Sequence, residues 1–445
     1  MMQFYPSHTN LVNRFRATSS QHVGIMESQL LMVGQTRGAP HIAMVTANMP
    51  AYHKLVVHPN AEMVYHLAGY GLYQEEAMVR LLGEGIERYA LLVAAYLFED
   101  KLFYASYNDL EHDPNVVPWE YLNIYTDADY IKMRDKTSIR PITQDDKIRW
   151  MWCPSLFNPS QQICVPAQLL FTGLRPDQSG SEKLFVPGFS KGSAAHVTVE
   201  KALKGAILES IEADAFMLRW YAALKSKRLI LDDTNLLPIM AHFLNEFDCE
   251  VVACDYTMPD LPGYTTGIGL LNRKQERPIV LFGCCSSLDP AIGVYRALLE
   301  ALAIHYLARN GPVIVPEHYL NTVHPRDYTN LDSNVAFWAN PEDAERKRSF
   351  IRQLAEGELP LSSLPTRAHN DADDLTYLLD GMRKVSQYAI WLDITPPEAA
   401  DQGWKVIRTF FPELVQMSLP AYPYSNHPRL VAYGGVRNAL PHPSP

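Results

Sequence analysis

The 445-residue sequence has little cysteine, no surplus of basic charge and no hydrophobic run of membrane-spanning length. Its six cysteines, Cys153, Cys164, Cys249, Cys254, Cys284 and Cys285, include no C-x-x-C pair. So sparse a set in a long chain excludes a disulfide framework and indicates buried thiols in a reducing compartment. Lys and Arg number 39 against 49 Asp and Glu, a formal net charge of −10. That balance argues against a nucleic-acid partner, which needs a basic face. A phosphate-bearing ligand remains compatible if a metal ion supplies local positive charge. The apolar stretch Ala90–Phe98 is less than half of the roughly 20 residues a membrane helix needs. The N-terminal MMQFYPSHTNLVNRFR has no apolar core of the signal-peptide kind. No membrane association and a cytoplasmic location are expected. Glycine-rich phosphate loops of the G-x-x-x-x-G-K-[ST] or G-x-G-x-x-G type are also missing. Any nucleotide site must be built another way.

With 47% hydrophobic and 20% charged residues, the chain can bury a large core. Helical periodicity predicts three long helices, at Gln74–Glu99, Val197–Lys225 and Asp289–Arg309. Short apolar runs predict strands at Leu30–Thr36, His41–Thr46, Leu102–Ser106, Leu169–Thr172, Glu250–Tyr256, Thr265–Leu271, Ile279–Cys284 and Ala389–Ile394. Hairpin-like neighbours are mixed with strand–helix alternation, so the fold class is α+β rather than a doubly wound sheet. Asp109–Pro118 and Pro360–Asp373, rich in Asp and Pro, read as exposed connections.

Two of the helices repeat one pattern, A-x6-E-x-I-E-x-x-A, at Ala77–Ala90 and again at Ala202–Ala215. Glu84 and Glu87 on the first, and Glu209 and Glu212 on the second, are three residues apart and share a helix face. Like charges at that spacing repel, and more strongly when buried. Arg88 can pair with Glu84 on the first helix, but Ala213 stands at the corresponding place on the second. Glu300, set among Ala and Leu, offers a third acid on the third helix. Acids gathered this way resemble a cage for a hard cation such as magnesium, which prefers oxygen ligands shared with phosphates. A di-iron bundle would want Glu-x-x-His, whereas His305 lies five residues after Glu300. Cys284-Cys285, His196 and His242 read as structural rather than catalytic.

These segments carry a resemblance to the YcaO superfamily, ATP-using enzymes that modify peptide backbones. The carriers are Gly83-Glu84-Gly-Ile-Glu87-Arg88-Tyr89 and Ser193-Ala-Ala-His196, then Glu209-Ser-Ile-Glu212-Ala-Asp214-Ala-Phe216 with Trp220, and Asp289-Pro290 leading to Arg296-Ala297-Leu-Leu-Glu300-Ala301. The resemblance runs from about Gly69 to the C-terminus. It implies a YcaO-type fold with mixed sheets, and magnesium held by Glu84, Glu87, Glu209, Glu212 and Glu300 between the protein and ATP phosphates. Arg88, Glu84, Glu209 and Arg296 are the implied ATP contacts. Three departures from the family pattern are Ala213, where an arginine is usual, Arg296, where some relatives have glutamine, and Arg80, at a position often small or polar in relatives.

The sequence ends Pro441-His-Pro443-Ser-Pro445. Alone this reads as a polyproline II tail. Within the superfamily such an ending is similar to that of azoline-forming cyclodehydratases, whose rigid tail enters the active site. Pro445, through its terminal carboxylate, is therefore the expected catalytic group. The expected organisation is an integrated N-terminal region (1–62), a catalytic domain (63–435) and the proline-rich tail (436–445). The implied activity is ATP-dependent cyclodehydration of Cys, Ser or Thr in a ribosomal precursor peptide to thiazoline or oxazoline, with release of ADP and phosphate. A thioamide synthetase and a degenerate peptide-binding scaffold are the alternatives. The sequence offers no evident leader-recognition region, so the resemblance implies an E1-like leader-binding partner. It also implies a flavin-dependent azoline dehydrogenase and a homodimer within a larger complex.

Overall fold

The computed structural model describes residues 10–444 apart from 11–12, 15–16, 20–23, 28–29, 34–36, 57–65, 175–181 and 315–330. Three long helices form its centre: α1 (Gln74–Leu97), α2 (Val199–Tyr221) and α3 (Pro290–Ile314). Each matches its sequence expectation to within a few residues at the ends. The α2 start is fixed by Thr198, whose side chain accepts a hydrogen bond from the Lys201 N–H. A shorter helix, α4 (Leu331–Ala339), packs against α3.

Four sheets surround these helices. β1 (Leu30–Val33), β2 (Ala43–Asn48) and β3 (His66–Gly71) form an antiparallel sheet against α1. It joins the segment before residue 62 to the strand that leads into α1. β4 (Phe103–Ala105), β5 (Ile148–Pro154) and β6 (Gln162–Pro166) form a second sheet. β7 (Ser193–His196) pairs with a strand from the far end of the chain, described below. The largest sheet contains β8 (Ser226–Ile230), β9 (Cys249–Asp255), β10 (Tyr264–Asn272), β11 (Val280–Ser287) and β12 (Ala355–Pro360), in the order β11-β10-β9-β8-β12. β13 (Ile390–Asp393) and β14 (Lys405–Phe410) complete the third sheet, ordered β13-β14-β7.

β10 and β11 are buried along their whole length, because α3 covers the sheet they share and α2 packs against both. Close approach is possible because Gly283 has no side chain. A Cβ there would lie 2.1 Å from the Ala297 carbonyl oxygen. Over Pro290–Gly311, α3 is long and apolar enough by composition to span a membrane, with mean hydropathy 1.3. Here it is a core helix: Ala297, Leu298, Leu299, Ala301 and Leu302 are fully buried in the protein.

One strand expectation is corrected. Leu169–Thr172 forms no strand; Ala167–Leu170 is a helical turn after Pro166. An apolar run of four residues fits either state by periodicity, and here the turn wins.

Candidate active site

A cavity of about 1710 Å³ opens between α1, α2, α3 and β11. All five glutamates singled out in the sequence line it, as do Arg88 and Arg296. The three helices deliver them by the same device. Each follows a strand, and its glutamate reaches back to a backbone N–H of that strand or its approach. Glu84 accepts from Ala68 N–H at 2.9 Å, 16 residues back. Glu300 accepts from Cys284 N–H at 2.8 Å, also 16 residues back, and Glu209 from Gly192 N–H at 3.3 Å, 17 residues back. The sequence echo between α1 and α2 is thus part of a threefold strand–helix arrangement that includes α3. Glu212 accepts from Ser286 N–H on β11 at 3.1 Å, and Glu87 from the Ser193 hydroxyl at 2.9 Å.

These tethers fix the carboxylates while leaving donor atoms free. Among the described residues, Glu87, Glu209 and Glu300 each keep one oxygen outside any hydrogen bond. Burial, and then Glu209, push the Glu87 carboxyl up to about 8, against Arg88 and the Ser193 hydroxyl. Burial raises Glu300 to about 7, with Lys191 opposing and Glu212 adding to it. Burial also raises Glu84, which Arg88 partly offsets, and Glu209, which Lys191 partly offsets. The cage is short of positive charge.

The Arg88–Glu84 pair forms at 3.6 Å, as the helix spacing suggests. On α2, Ala213 cannot pair with Glu209, and the cation comes from elsewhere. Lys191 Nζ lies 2.5 Å from Glu212 Oε1. Sequence reasoning missed this lysine, and also Arg408, which is buried on β14 behind the same loop. Arg408 Nη1 donates to the Ser190 and Lys191 carbonyls at 3.0 and 2.6 Å. No local spacing signals either contact, since 217 residues separate Arg408 from Lys191. Arg296 projects from α3 into the cavity and, among the described residues, makes no hydrogen bond or ion pair.

Among the described residues, no three His, Cys, Asp or Glu side chains converge tightly enough to hold a metal ion alone. The donor set nevertheless fits magnesium. It consists of hard, under-compensated carboxylates, Glu212 buried and the other four half-buried, and the free oxygens of Glu87, Glu209 and Glu300 need further oxygen ligands of the kind a polyphosphate brings. Cys284 and Cys285 line the same cavity, but burial pushes the Cys285 thiol up to about 12 and Cys284 up as well. Neither is a ready nucleophile. The Nδ1 of His196 accepts from Val197 N–H at 2.8 Å, and its ring also lines the cavity.

Residues 68–415, over three quarters of the chain, match the family described as YcaO cyclodehydratase, ATP- and Mg2+-binding. The chain belongs to the YcaO family. Its cofactors are accordingly ATP and Mg2+. Its α+β fold is that of solved YcaO proteins. One is YcaO from Methanopyrus kandleri bound with AMPPCP and Mg2+ (TM-score 0.62, 16% identity, covering 99% of this chain and 96% of that one). A heterocyclase in complex with substrate and cofactor has TM-score 0.74 and 17% identity over 99% of this chain; this chain spans only 57% of it. The E. coli microcin synthetase McbBCD complex with pro-MccB17 bound gives TM-score 0.62 and 12% identity, over 96% of this chain and 99% of the matched one. No curated protein is similar enough in sequence to match.

The cavity is also lined by the apolar and aromatic side chains Phe171, Val186, Phe189, Trp404, Met417 and Leu419, with Arg14, Lys136 and Gln168 among the polar ones. The described residues of the tail do not line the cavity; they pack beside it. Pro441, His442, Pro443 and Ser444 are buried. Trp338 Nε1 donates to the Pro441 carbonyl at 2.9 Å, and Asn334 Nδ2 to the His442 and Ser444 carbonyls at 2.7 and 2.6 Å. The His442 ring stands edge-on to Phe216, one turn beyond Glu212 on α2, and its Nε2 lies 3.1 Å from the Ser418 carbonyl. Ser418 sits between the two cavity-lining residues Met417 and Leu419. Pro445, the group expected from the sequence to be catalytic, lies outside the described residues.

Proposed function

We propose that this YcaO protein is the ATP-dependent cyclodehydratase subunit of a system that installs azolines in a ribosomal precursor peptide. A substrate Cys, Ser or Thr side chain adds to the preceding amide carbonyl. The former carbonyl oxygen takes the γ-phosphoryl group of ATP and departs as phosphate, leaving thiazoline or oxazoline and ADP. Without phosphorylation that oxygen would have to leave as hydroxide, a poor leaving group. Magnesium, when bound, supplies charge neutralisation for the phosphates.

The observation that carries this reading is the five-glutamate cage lining a cavity of about 1710 Å³ that also presents apolar and aromatic side chains and is roomy enough for a peptide. Glu84, Glu87, Glu209, Glu212 and Glu300 are assigned to metal, with Glu84, Glu209, Arg88 and Arg296 touching ATP. The tail from residue 436 onward, ending at Pro445, is assigned to the reaction chamber as a rigid insertion with a catalytic carboxylate. Residues 63–435 are taken as the catalytic domain, with 1–62 supporting it. An E1-like leader-binding protein, the precursor peptide and a flavin-dependent azoline dehydrogenase are the proposed partners, in a complex built on a homodimer.

The test is mass spectrometry of the precursor after incubation with this protein, its partner, ATP and Mg2+. Loss of about 18 Da per modified residue supports cyclodehydration, a gain of about 16 Da indicates oxygen-to-sulfur exchange, and an unchanged mass indicates a scaffold.

A further inference from the structure

Lys191 occupies an unusual place for a lysine, inside a cage of acids already assigned to metal. Its Nζ is 2.5 Å from Glu212 Oε1, and Glu300 and Glu209 act on the same ammonium. Its backbone is fixed from two sides. Arg408 grips the Ser190 and Lys191 carbonyls, and the Gly192 carbonyl accepts from Thr409 N–H at 2.7 Å. Gly192 itself adopts φ +91, and a Cβ there would come within 2.9 Å of the Thr409 carbonyl. The loop therefore cannot slide, and the ammonium is delivered to the acids by a rigid support. A lysine placed this way provides positive charge but, with no lone pair, cannot act as a metal ligand.

We infer that Lys191 is a resident cation of the nucleotide site, standing among Glu212, Glu209 and Glu300 where a divalent ion would otherwise bind. It keeps the empty cage folded against carboxylate repulsion, and it limits how many metal ions accompany the nucleotide. Arg408 is a positioning residue that acts through the Lys191 loop. This inference rests on the Mg-ATP reading above.

The experiment is a Mn2+ titration of the full chain, read by electron paramagnetic resonance, with AMPPCP at saturation. Lys191→Met and Lys191→Gln are expected to bind one more Mn2+ per chain than wild type, and Lys191→Arg the same number. In EDTA the two neutral variants should melt at lower temperature, and Mn2+ with AMPPCP should restore them. Equal metal counts in wild type and both neutral variants would overturn the inference while leaving the Mg-ATP reading intact. Absence of any metal-dependent AMPPCP binding in wild type would overturn both. If the neutral variants fold only when metal and nucleotide are present, the counter-charge role is supported. If they fail to fold even then, the lysine is structural and the inference is wrong.

Discussion

Asn334→Ala should release the C-terminal tail without unfolding the protein. Asn334, on α4, is fully buried, and its Nδ2 donates to two tail carbonyls, those of His442 and Ser444. Removing the amide leaves both carbonyls buried without that donor, at about 1–3 kcal/mol each. Upstream, Arg437 and Asn438 N–H stay bonded to the Tyr221 carbonyl and Trp220 Nε1 to the Leu440 carbonyl. Release therefore concerns residues 441–444, where Trp338 to Pro441, His442 to Ser418 and the aromatic contacts of the His442 ring remain. The docked imidazole reports on the outcome. Burial, opposed by the Ser418 and Ser444 carbonyls, lowers its pKa to about 4, from an ordinary value of 6.5. Docking therefore favours neutral His442. Its contribution is complete above pH 6.5 and is lost as pH falls toward 4, by about 3 kcal/mol at 1.36 kcal/mol per pH unit. In the variant, histidine C2–H resonances followed through a pH titration should show His442, assigned against His442→Gln, returning toward ~6.5. Far-UV circular dichroism should be unchanged. A His442 that still titrates near 4 in Asn334→Ala would refute the claim that this amide latches the tail.

Glu87→Gln should leave the unloaded fold intact, because burial and Glu209 already favour a protonated carboxyl there, yet it should weaken Mg-AMPPCP binding by calorimetry. Unchanged affinity would remove Glu87 from the cage. For the same reason, loading Mg2+ requires Glu87 to lose its proton, so metal-nucleotide affinity in wild type should rise as pH goes from 6 toward 8; a flat profile would count against it. Asp214→Ala should destabilise the fold by about 3–5 kcal/mol in urea unfolding. Asp214 is fully buried, holds Arg429 Nε at 2.8 Å and accepts from Val415 N–H; a loss below ~1 kcal/mol would show that Asp260 alone can hold the arginine.

The parts of this molecule legible in the sequence are those with local signatures. The three long helices follow from apolar periodicity, and their glutamates stand out as like charges at i,i+3 within apolar faces. The β10–β11 hairpin reads correctly because both strands are buried throughout. Other elements carry no such mark. Ser193–His196 is a strand of small residues paired to β14, more than 200 positions later in the chain. Ala355–Pro360 is a largely exposed strand joined in parallel to β8 at the sheet edge. The site shows the same division: its acids, Arg88 and Arg296 are legible, while Lys191 and Arg408 are not. Lys191 sits in a loop and Arg408 on a distant strand, and only the tertiary fold brings them to the acids. The missing arginine after Glu212 was visible at Ala213, but nothing in the sequence pointed to its replacement.

The central claim is that ATP activates an amide oxygen at the glutamate cage. It is tested most directly with a precursor peptide carrying heavy oxygen in the backbone amide that precedes a reactive Cys or Ser. After one turnover with ATP and Mg2+, the heavy isotope should be found in the released phosphate, at one atom per azoline formed. Azoline formation with the isotope recovered in water, or phosphate released without the label, would contradict the account.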